Sequence, residues 1–517
     1  MRALDRVLGT AVCVLTLGVS LAQAQQSSQG QSSQGQPSQG SSTQGQSTQG
    51  QTSQGQPSQG QQQTPDQSAE PIPAYRSPLA SAADNGSGDV ESQQGTPDDR
   101  SLSGAQNLSA LMLPTRSYWQ PQVNMFATVD SNPSGVGSST DWTAGAVVSG
   151  RVDVHRISGT SSMDLSYMGG GSFSSNGDYG TGIVQALGFS DKISFHRSTL
   201  SFFDQFAYLP GSGFGYGGLG GLAGASLPGS GSTGLGPVFG PGGTILTGTG
   251  QSVANSSVIQ FDTKLTRRSS LTLVGGYYLL HYFTTGLLNS YNPNFRIGYN
   301  YQLTHKDTIA GIYTYSSYTY TGSPQSFHTS TAWASYGRVV TQKVTFQIAG
   351  GPQWVNSQVP LSVSGPTTTY TPATQLYWSM HASVGLLVGR SHLGVSYYRG
   401  ADAGSGVLAG SLGNTVTGSF TRAVSRTFSS GISGGYSWNQ GVITNSTGAL
   451  VNQTYDDWYT SATLSHPMGG ALGLTLSYWF THQTASTAAC VGPLCGTSYV
   501  TNLISFGLGW HTRPMAF

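Results

Sequence analysis

The sequence predicts an all-β protein built from antiparallel strands, on three observations. Only 8 % of its 517 residues are charged, where roughly 25 % is usual for a soluble protein. Helix-favouring residues are scarce, since Gly contributes 73 residues and no glutamate follows Glu91. Apolar residues also recur at every second position, a spacing that gives a strand two unlike faces. Within residues 374–400 the apolar side of this pattern is Leu376, Trp378, Met380, Ala382, Val384 and Leu386.

The first 24 residues are typical of a secretory signal peptide. Arg2 and Arg6 precede an apolar run, and Ala22-Gln23-Ala24 supplies an A-x-A cleavage pattern. We expect cleavage after Ala24. Cys13 lies inside the apolar run, which argues against a lipid-anchored mature terminus. No uncharged, predominantly apolar run of about 18 residues follows, so the protein is predicted to be secreted, periplasmic or an outer-membrane barrel.

Residues 25–114 are predicted to form a disordered periplasmic arm. Gln-Gly recurs every five residues from Gln29-Gly30 to Gln59-Gly60, and this Gln/Ser/Gly-rich stretch has no aromatic residue with which to build a core. The arm is either a bare linker or a spacer that contacts the cell wall. Residues 101–113 suit one short amphipathic helix that ends before Pro114.

Residues 115–517 repeat the alternating pattern and predict about eighteen strands, with sixteen as the alternative. Segments of about ten residues suffice to cross a bilayer when tilted. The strands are expected at 119–130, 142–155, 162–173, 183–197, 199–209, 253–266, 271–283, 294–304, 308–320, 327–339, 344–355, 374–387, 392–400, 412–423, 427–439, 453–466, 471–482 and 498–511.

The predicted connections alternate between short turns and long loops, as in transmembrane barrels. An open sheet with an apolar face would leave unpaired edges, whereas lipid requires every backbone polar group to be bonded. The sequence therefore predicts a closed, transmembrane, antiparallel up-and-down β-barrel. We expect the short turns to be periplasmic and the long loops extracellular.

On these strands and loops, the chain from Ser117 to Phe517 resembles a bacterial outer-membrane β-barrel of the porin-like kind. The resemblance implies outer-membrane lipid and the barrel-assembly machinery as partners, and it leaves a homotrimer open. Such barrels usually end in an alternating strand closed by an aromatic residue. Either Trp510 closes the last strand here, or Phe517 forms a separate tail, because Pro514 interrupts the alternation.

The strand number predicts a water-filled lumen, since barrels of about 16 to 18 strands are too wide for side chains to fill. We therefore expect passive diffusion of small polar solutes. The longest connection, 210–252, is glycine-rich and uncharged. Porins fold a loop at this place into the channel, which would here select by size more than by charge. A mobile external loop is the alternative.

The alternation also predicts which polar residues line the lumen. The basic members outnumber the acidic ones, which would favour anions slightly, although all of them could be merely solvated wall positions. The formal charge of +1 argues against a nucleic-acid partner. The predicted pore-lining residues are Arg151, Asp153, His155, Asp164, Arg296, Arg338, His381 and His392.

Signals for catalysis and cofactors are weak, so neither an enzyme nor a cofactor is predicted. Residues 431–435 match G-x-S-x-G, but Ser433 falls within a predicted strand instead of a strand-to-helix elbow. The ten histidines show no metal-binding spacing. Cys490 and Cys495 are expected to form a disulfide, because the protein is exported. The alternatives to a channel are a plugged surface-binding or structural barrel and a barrel hydrolase.

Overall fold

A computed structural model of the chain describes its C-terminal part, all of it within the compact unit Gly60–Phe517. The signal peptide, the arm, most of loop 210–252 and both remaining cysteines lie outside the described residues. Those residues are 117–132, 142–175, 182–209, 251–283, 288–321, 326–341, 343–364, 367–405, 408–425, 427–442, 454–468, 471–486 and 498–517.

Eighteen long strands and one strand of two residues make up the described chain. Within it, no helix is long and apolar enough to cross a membrane. The strands are β1 (Tyr118–Asp130), β2 (Thr143–Ser158), β3 (Ser161–Ser174), β4 (Gly182–Ser194), β5 (Ser198–Leu209), β6 (Ser252–Lys264), β7 (Ser269–Tyr282), β8 (Asn289–Gln302), β9 (Asp307–Thr321), β10 (Ser326–Thr341), β11 (Val344–Ser364), β12 (Thr367–Val388), β13 (Ser391–Ser405), β14 (Leu408–Ala423), β15 (Ser429–Gly441), β16 (Thr454–Met468), β17 (Leu472–Ala485), β18 (Tyr499–His511) and β19 (Met515–Ala516).

The eighteen long strands close into one antiparallel barrel, which confirms the predicted fold class. Each long strand pairs with its neighbours in sequence, and the first pairs with the last. The closing register runs from Gln122 opposite His511 to Asp130 opposite Leu503. Closure leaves no free sheet edge, as a membrane-spanning sheet requires.

Burial alternates along the strands in the opposite sense to that of a water-soluble protein. On β1, Met125 is 51 % exposed while its neighbour Asn124 is 1 % exposed. On β8, Phe295 and Tyr299 are exposed, whereas Asn300, the residue after Tyr299, is buried. Large apolar side chains thus point mostly away from the barrel, and polar ones point mostly into it. This arrangement suits a hydrocarbon surround and an aqueous interior.

One outward position near the middle of a strand carries a carboxylate instead of an apolar side chain. Asp204 lies on the outward side of β5, opposite Ser257 of β6. Its Oδ1 accepts hydrogen bonds from Ser257 and, at 3.3 Å, from Asn255 Nδ2. Asp204 is 3 % exposed. A carboxylate in an apolar setting needs such donors, because hydrocarbon offers none.

Two hairpins are longer than predicted. The expected loops 356–373 and 401–411 are largely strand, since β11 pairs with β12 as far as Ser364 and Thr367, and β13 pairs with β14 as far as Ser405 and Leu408. Proline and small residues in these stretches favour loops locally. Cross-strand pairing overrides that preference, and an irregularity between Pro360 and Ser362 accommodates one of the prolines.

The C-terminus combines the two predicted alternatives. Trp510 points outward at the end of β18 and is 44 % exposed. After Pro514, the two-residue strand β19 pairs with Tyr118 and Trp119 of β1. Phe517 follows this strand and is 64 % exposed, so it forms a tail separate from the closing strand.

Candidate functional site

The candidate site is the inward face of the barrel, where one group of charged side chains lies on β1 to β3. Arg151 and Asp153 are two residues apart on the inward face of β2, and their Nη2 and Oδ1 atoms are 2.8 Å apart. Gln122 Nε2 of β1 donates to Asp153 Oδ2 at 2.8 Å. His155 Nδ1 lies 2.6 Å from Asp164 Oδ1 of β3. These charges bond to one another within the wall, an arrangement that holds them close to it.

Further inward polar residues lie on β8, β12 and β13. Arg296 of β8 and His381 of β12 are both buried. His381 lies opposite Tyr398 of β13 on the inward face. Arg296 adds a cationic side chain to the polar lining of the barrel.

The structure corrects one of the predicted pore-lining residues. Arg338 pairs with Asp307 across β9 and β10 on the outward face, and its side chain is 52 % exposed. The lumen assignment of Arg338 is therefore wrong. Apolar residues occur on both faces of β10, with Phe327 inward and Val340 outward. Alternation along the sequence therefore does not show which side chains of this strand face the lumen.

The other predicted lumen residues lie on the inward face. His392 does so near the short turn after β12, opposite Leu387 and Thr421. The same applies to Arg151, Asp153, His155, Asp164, Arg296 and His381. Their contact with a solute stays a prediction.

The described inward charges do not favour anions. Three inward carboxylates, Asp130, Asp262 and Asp457, were not among the predicted pore-lining residues, although each lies at an alternating inward position of its strand. Inward strand positions carry four basic residues, Arg151, Lys192, Lys264 and Arg296, and five acidic ones, Asp130, Asp153, Asp164, Asp262 and Asp457. The predicted excess of basic groups is thus not present on the described wall.

The end of the β13–β14 hairpin packs against the inner wall of the barrel through Ala401, Gly410 and Leu412, and its described residues, 400–405 and 408–412, are called the inner hairpin below. The β12–β13 ladder stops at Met380 and Arg399, so the hairpin leaves its neighbour there. Gln353 is an inward residue of β11, two strands away. Its Nε2 donates to the Ala401 carbonyl at 3.2 Å, and its Oε1 accepts from the Ala401 amide at 2.8 Å. Both bonds are buried and attach the hairpin to the wall.

An apolar cluster holds the same hairpin. Ala401 and Leu412 pack with inward aromatic residues, among which the Tyr318 and Phe327 rings are stacked with centroids 4.5 Å apart. Gly410 has a φ of +82°, and a Cβ there would lie 2.5 Å from Phe327 Cε1, so only glycine fits. The buried members are Tyr318, Tyr320, Phe327, Val355, Ala401, Leu412 and Val442.

The enzyme-like motif found in the sequence has a structural role. Ser433 lies within β15, and its Oγ is 2.6 Å from Ser461 Oγ of β16. Asp457 faces inward on β16, whereas His466 faces outward and its Nδ1 lies 2.7 Å from the Thr427 carbonyl oxygen. In the described part of the chain, no three His, Cys, Asp or Glu side chains are placed to hold a metal ion.

Fold and site together define a transmembrane β-barrel of the outer-membrane type, with an apolar exterior, a polar interior and a hairpin packed inside one end. No protein-family profile matches the sequence. No curated protein matches it either.

Solved structures similar to the chain include outer-membrane proteins. OprD of Pseudomonas aeruginosa is 10 % identical with a TM-score of 0.36, over 81 % of this chain and 98 % of that one. OpdQ of the same organism is 11 % identical with a TM-score of 0.36, over 77 % and 99 %. OmpT, an outer membrane protein of Vibrio cholerae, is 11 % identical with a TM-score of 0.33, over 78 % and 99 %. At these values the assignment rests on the barrel itself.

Proposed function

We propose that the protein is an outer-membrane channel for passive diffusion of small polar solutes. The observation that carries the proposal is the closed ring of eighteen long strands with polar side chains inside and apolar ones outside. A barrel of about this strand number is wide enough to enclose an aqueous channel. Its exterior matches hydrocarbon, so the polar path runs through the membrane.

The inner hairpin supports selection by size. It occupies space beside β9 to β11, at the barrel end opposite the short turns. Its contacts with Gln353 and Phe327 hold it against the wall instead of across the middle. The channel would therefore be narrowed at that end but stay open. The mixed signs of the inward charges support weak discrimination by charge.

Narrowing by the uncharged loop 210–252 stays a prediction. The two strands that it joins carry apolar side chains on their inner face, and Phe203 of β5, Val258 of β6 and Val274 of β7 are each at most 1 % exposed. A neutral glycine-rich segment is compatible with such a surface, whereas water is not.

Recordings from planar bilayers test the channel. The folded protein is expected to give stable, voltage-independent conductance steps, and liposomes containing it should swell in neutral sugars up to a size limit. Barrels that insert without measurable conductance, although gel mobility shows that they are folded, would contradict the channel. That result would favour a plugged surface-binding or structural barrel, the alternative that the packed inner hairpin also fits.

Further expectations accompany this proposal. Insertion by the barrel-assembly machinery, a homotrimer, contact of the arm with the cell wall, extracellular long loops and the Cys490–Cys495 disulfide stay predictions, as does the absence of enzymatic activity. A barrel hydrolase would need a nucleophile beside a base, and Ser433 instead bonds to another serine.

A further inference from the structure

An apolar groove of about 620 Å³ lies on the outward face of β8 to β12. It is floored by a row of small residues in direct cross-strand register, Gly311 of β9, Ala334 of β10 and Gly350 of β11. Tyr299 of β8 and Met380 of β12 end this row on either side. Three adjacent strands thus lack large side chains at one level, while their flanking strands carry them.

Aromatic side chains form the walls of the groove. The Trp378 ring leans over Gly350, where an added Cβ would lie 3.8 Å from Trp378 Cζ2. Tyr336 stands one row nearer the short turns, opposite Ile309. At Gly311 an added Cβ would meet nothing within 4 Å, so the floor is open to the surroundings.

The membrane determines what can fill such a groove. Water is excluded because the lining is apolar. An empty groove would forfeit dispersion contacts along its whole length. Lipid chains gain no hydrophobic free energy by moving from bulk lipid to protein, so a resident chain must be selected by close packing and by its head group.

A cation lies where the head group of such a lipid would be. Arg338 is two residues beyond Tyr336 on the same outward face, toward the short turns, and half of its side chain is exposed. Lys306 lies beside it, since the Val339 amide donates to the Lys306 carbonyl at 2.8 Å. The neighbouring acid is Asp307, which accepts a hydrogen bond from the Tyr336 hydroxyl at 2.7 Å and is 3.7 Å from Arg338 Nε. Two cations against one carboxylate leave a net positive charge for a phosphate.

We propose that this groove binds one acyl chain of a glycerophospholipid, whose phosphate is bound by Arg338 with Lys306 nearby. The row of small residues would set the fit of the chain, and the cations would set the preference for an anionic head group. The site lies on the outside of the barrel and is independent of conduction through its lumen.

Native mass spectrometry of the delipidated full-length barrel, titrated with palmitoyl-oleoyl phosphatidylglycerol, tests the proposal. The wild type is expected to keep one lipid molecule bound at lipid concentrations at which the other bound lipid molecules dissociate. Gly311→Leu should remove this lipid by filling the floor, and Arg338→Gln should weaken it about tenfold by removing a charged hydrogen bond.

Matched controls are available elsewhere on the outward face. Gly275 of β7 also has open space around an added Cβ, so Gly275→Leu should retain the lipid. Arg156 is an exposed outward residue near the end of β2, and Arg156→Gln should bind as tightly as the wild type. Ala334→Leu replaces Gly311→Leu if the latter fails to fold, as judged by gel mobility before and after heating.

Equal lipid retention by the floor variants and their controls would overturn the proposal. So would oligomers that are present in the wild type and lost in Gly311→Leu, since a second copy would then occupy the groove. Single-channel conductance of all folded variants should equal that of the wild type, which separates failure of the lipid site from failure of the channel.

Discussion

Releasing the inner hairpin from the wall should change the channel, and Gln353→Ala is the substitution that tests this. The Gln353 side chain makes two buried hydrogen bonds to the Ala401 backbone, at 2.8 and 3.2 Å. Each such bond contributes about 0.5 to 1.5 kcal/mol net, so their loss weakens docking by about 1 to 3 kcal/mol. That corresponds to a factor of about 5 to 150 in the ratio of released to docked hairpin.

Two measurements follow the release. In planar bilayers, Gln353→Ala should show larger or noisier open-channel current than the wild type, because a released hairpin moves within the lumen. Hydrogen exchange should accelerate at the Ala401 amide, which loses its acceptor. Gln347→Ala is the matched control, since Gln347 is also an inward residue of β11 and pairs with Ser383, away from the hairpin. Wild-type current together with wild-type exchange at Ala401 would refute the reasoning.

Two further substitutions and one deletion test the lumen. Gly410→Val should displace the inner hairpin more strongly than Gln353→Ala, because the Cβ of the valine would overlap Phe327 and the backbone φ at this position is positive. Unchanged current in the same recordings would show that the hairpin does not pack against Phe327. Arg296→Glu should shift the reversal potential in a salt gradient toward cation preference, whereas Arg422→Glu on the outward face should not, and equal shifts would argue against Arg296 as a lumen residue. Deleting residues 212–248 should raise conductance if this loop narrows the channel, and unchanged conductance with intact folding would place it outside.

Much of the architecture was readable from sequence because strand alternation is a local property. Leu472, Leu476 and Tyr478 face outward on β17 as their spacing predicts, and all eighteen expected strands are present. The prediction of which side chains face inward was least reliable where apolar and polar residues occur on both faces of a strand. On β10, for example, Arg338 was assigned to the wrong face. It also failed where proline or small residues suggested loops, in the extended ends of β11 to β14.

The sequence by itself determined that this chain forms many two-faced strands in a sparsely charged protein, and hence a closed sheet with hydrocarbon outside. Only the tertiary structure decided that the inner hairpin packs inside the barrel, with Ala401 against Gln353 and Gly410 against Phe327. It likewise decided that Gly311, Ala334 and Gly350 align into a groove. The physical reason is that alternation is set by neighbours along one strand, whereas these features depend on register between strands and on contacts among residues far apart in the chain.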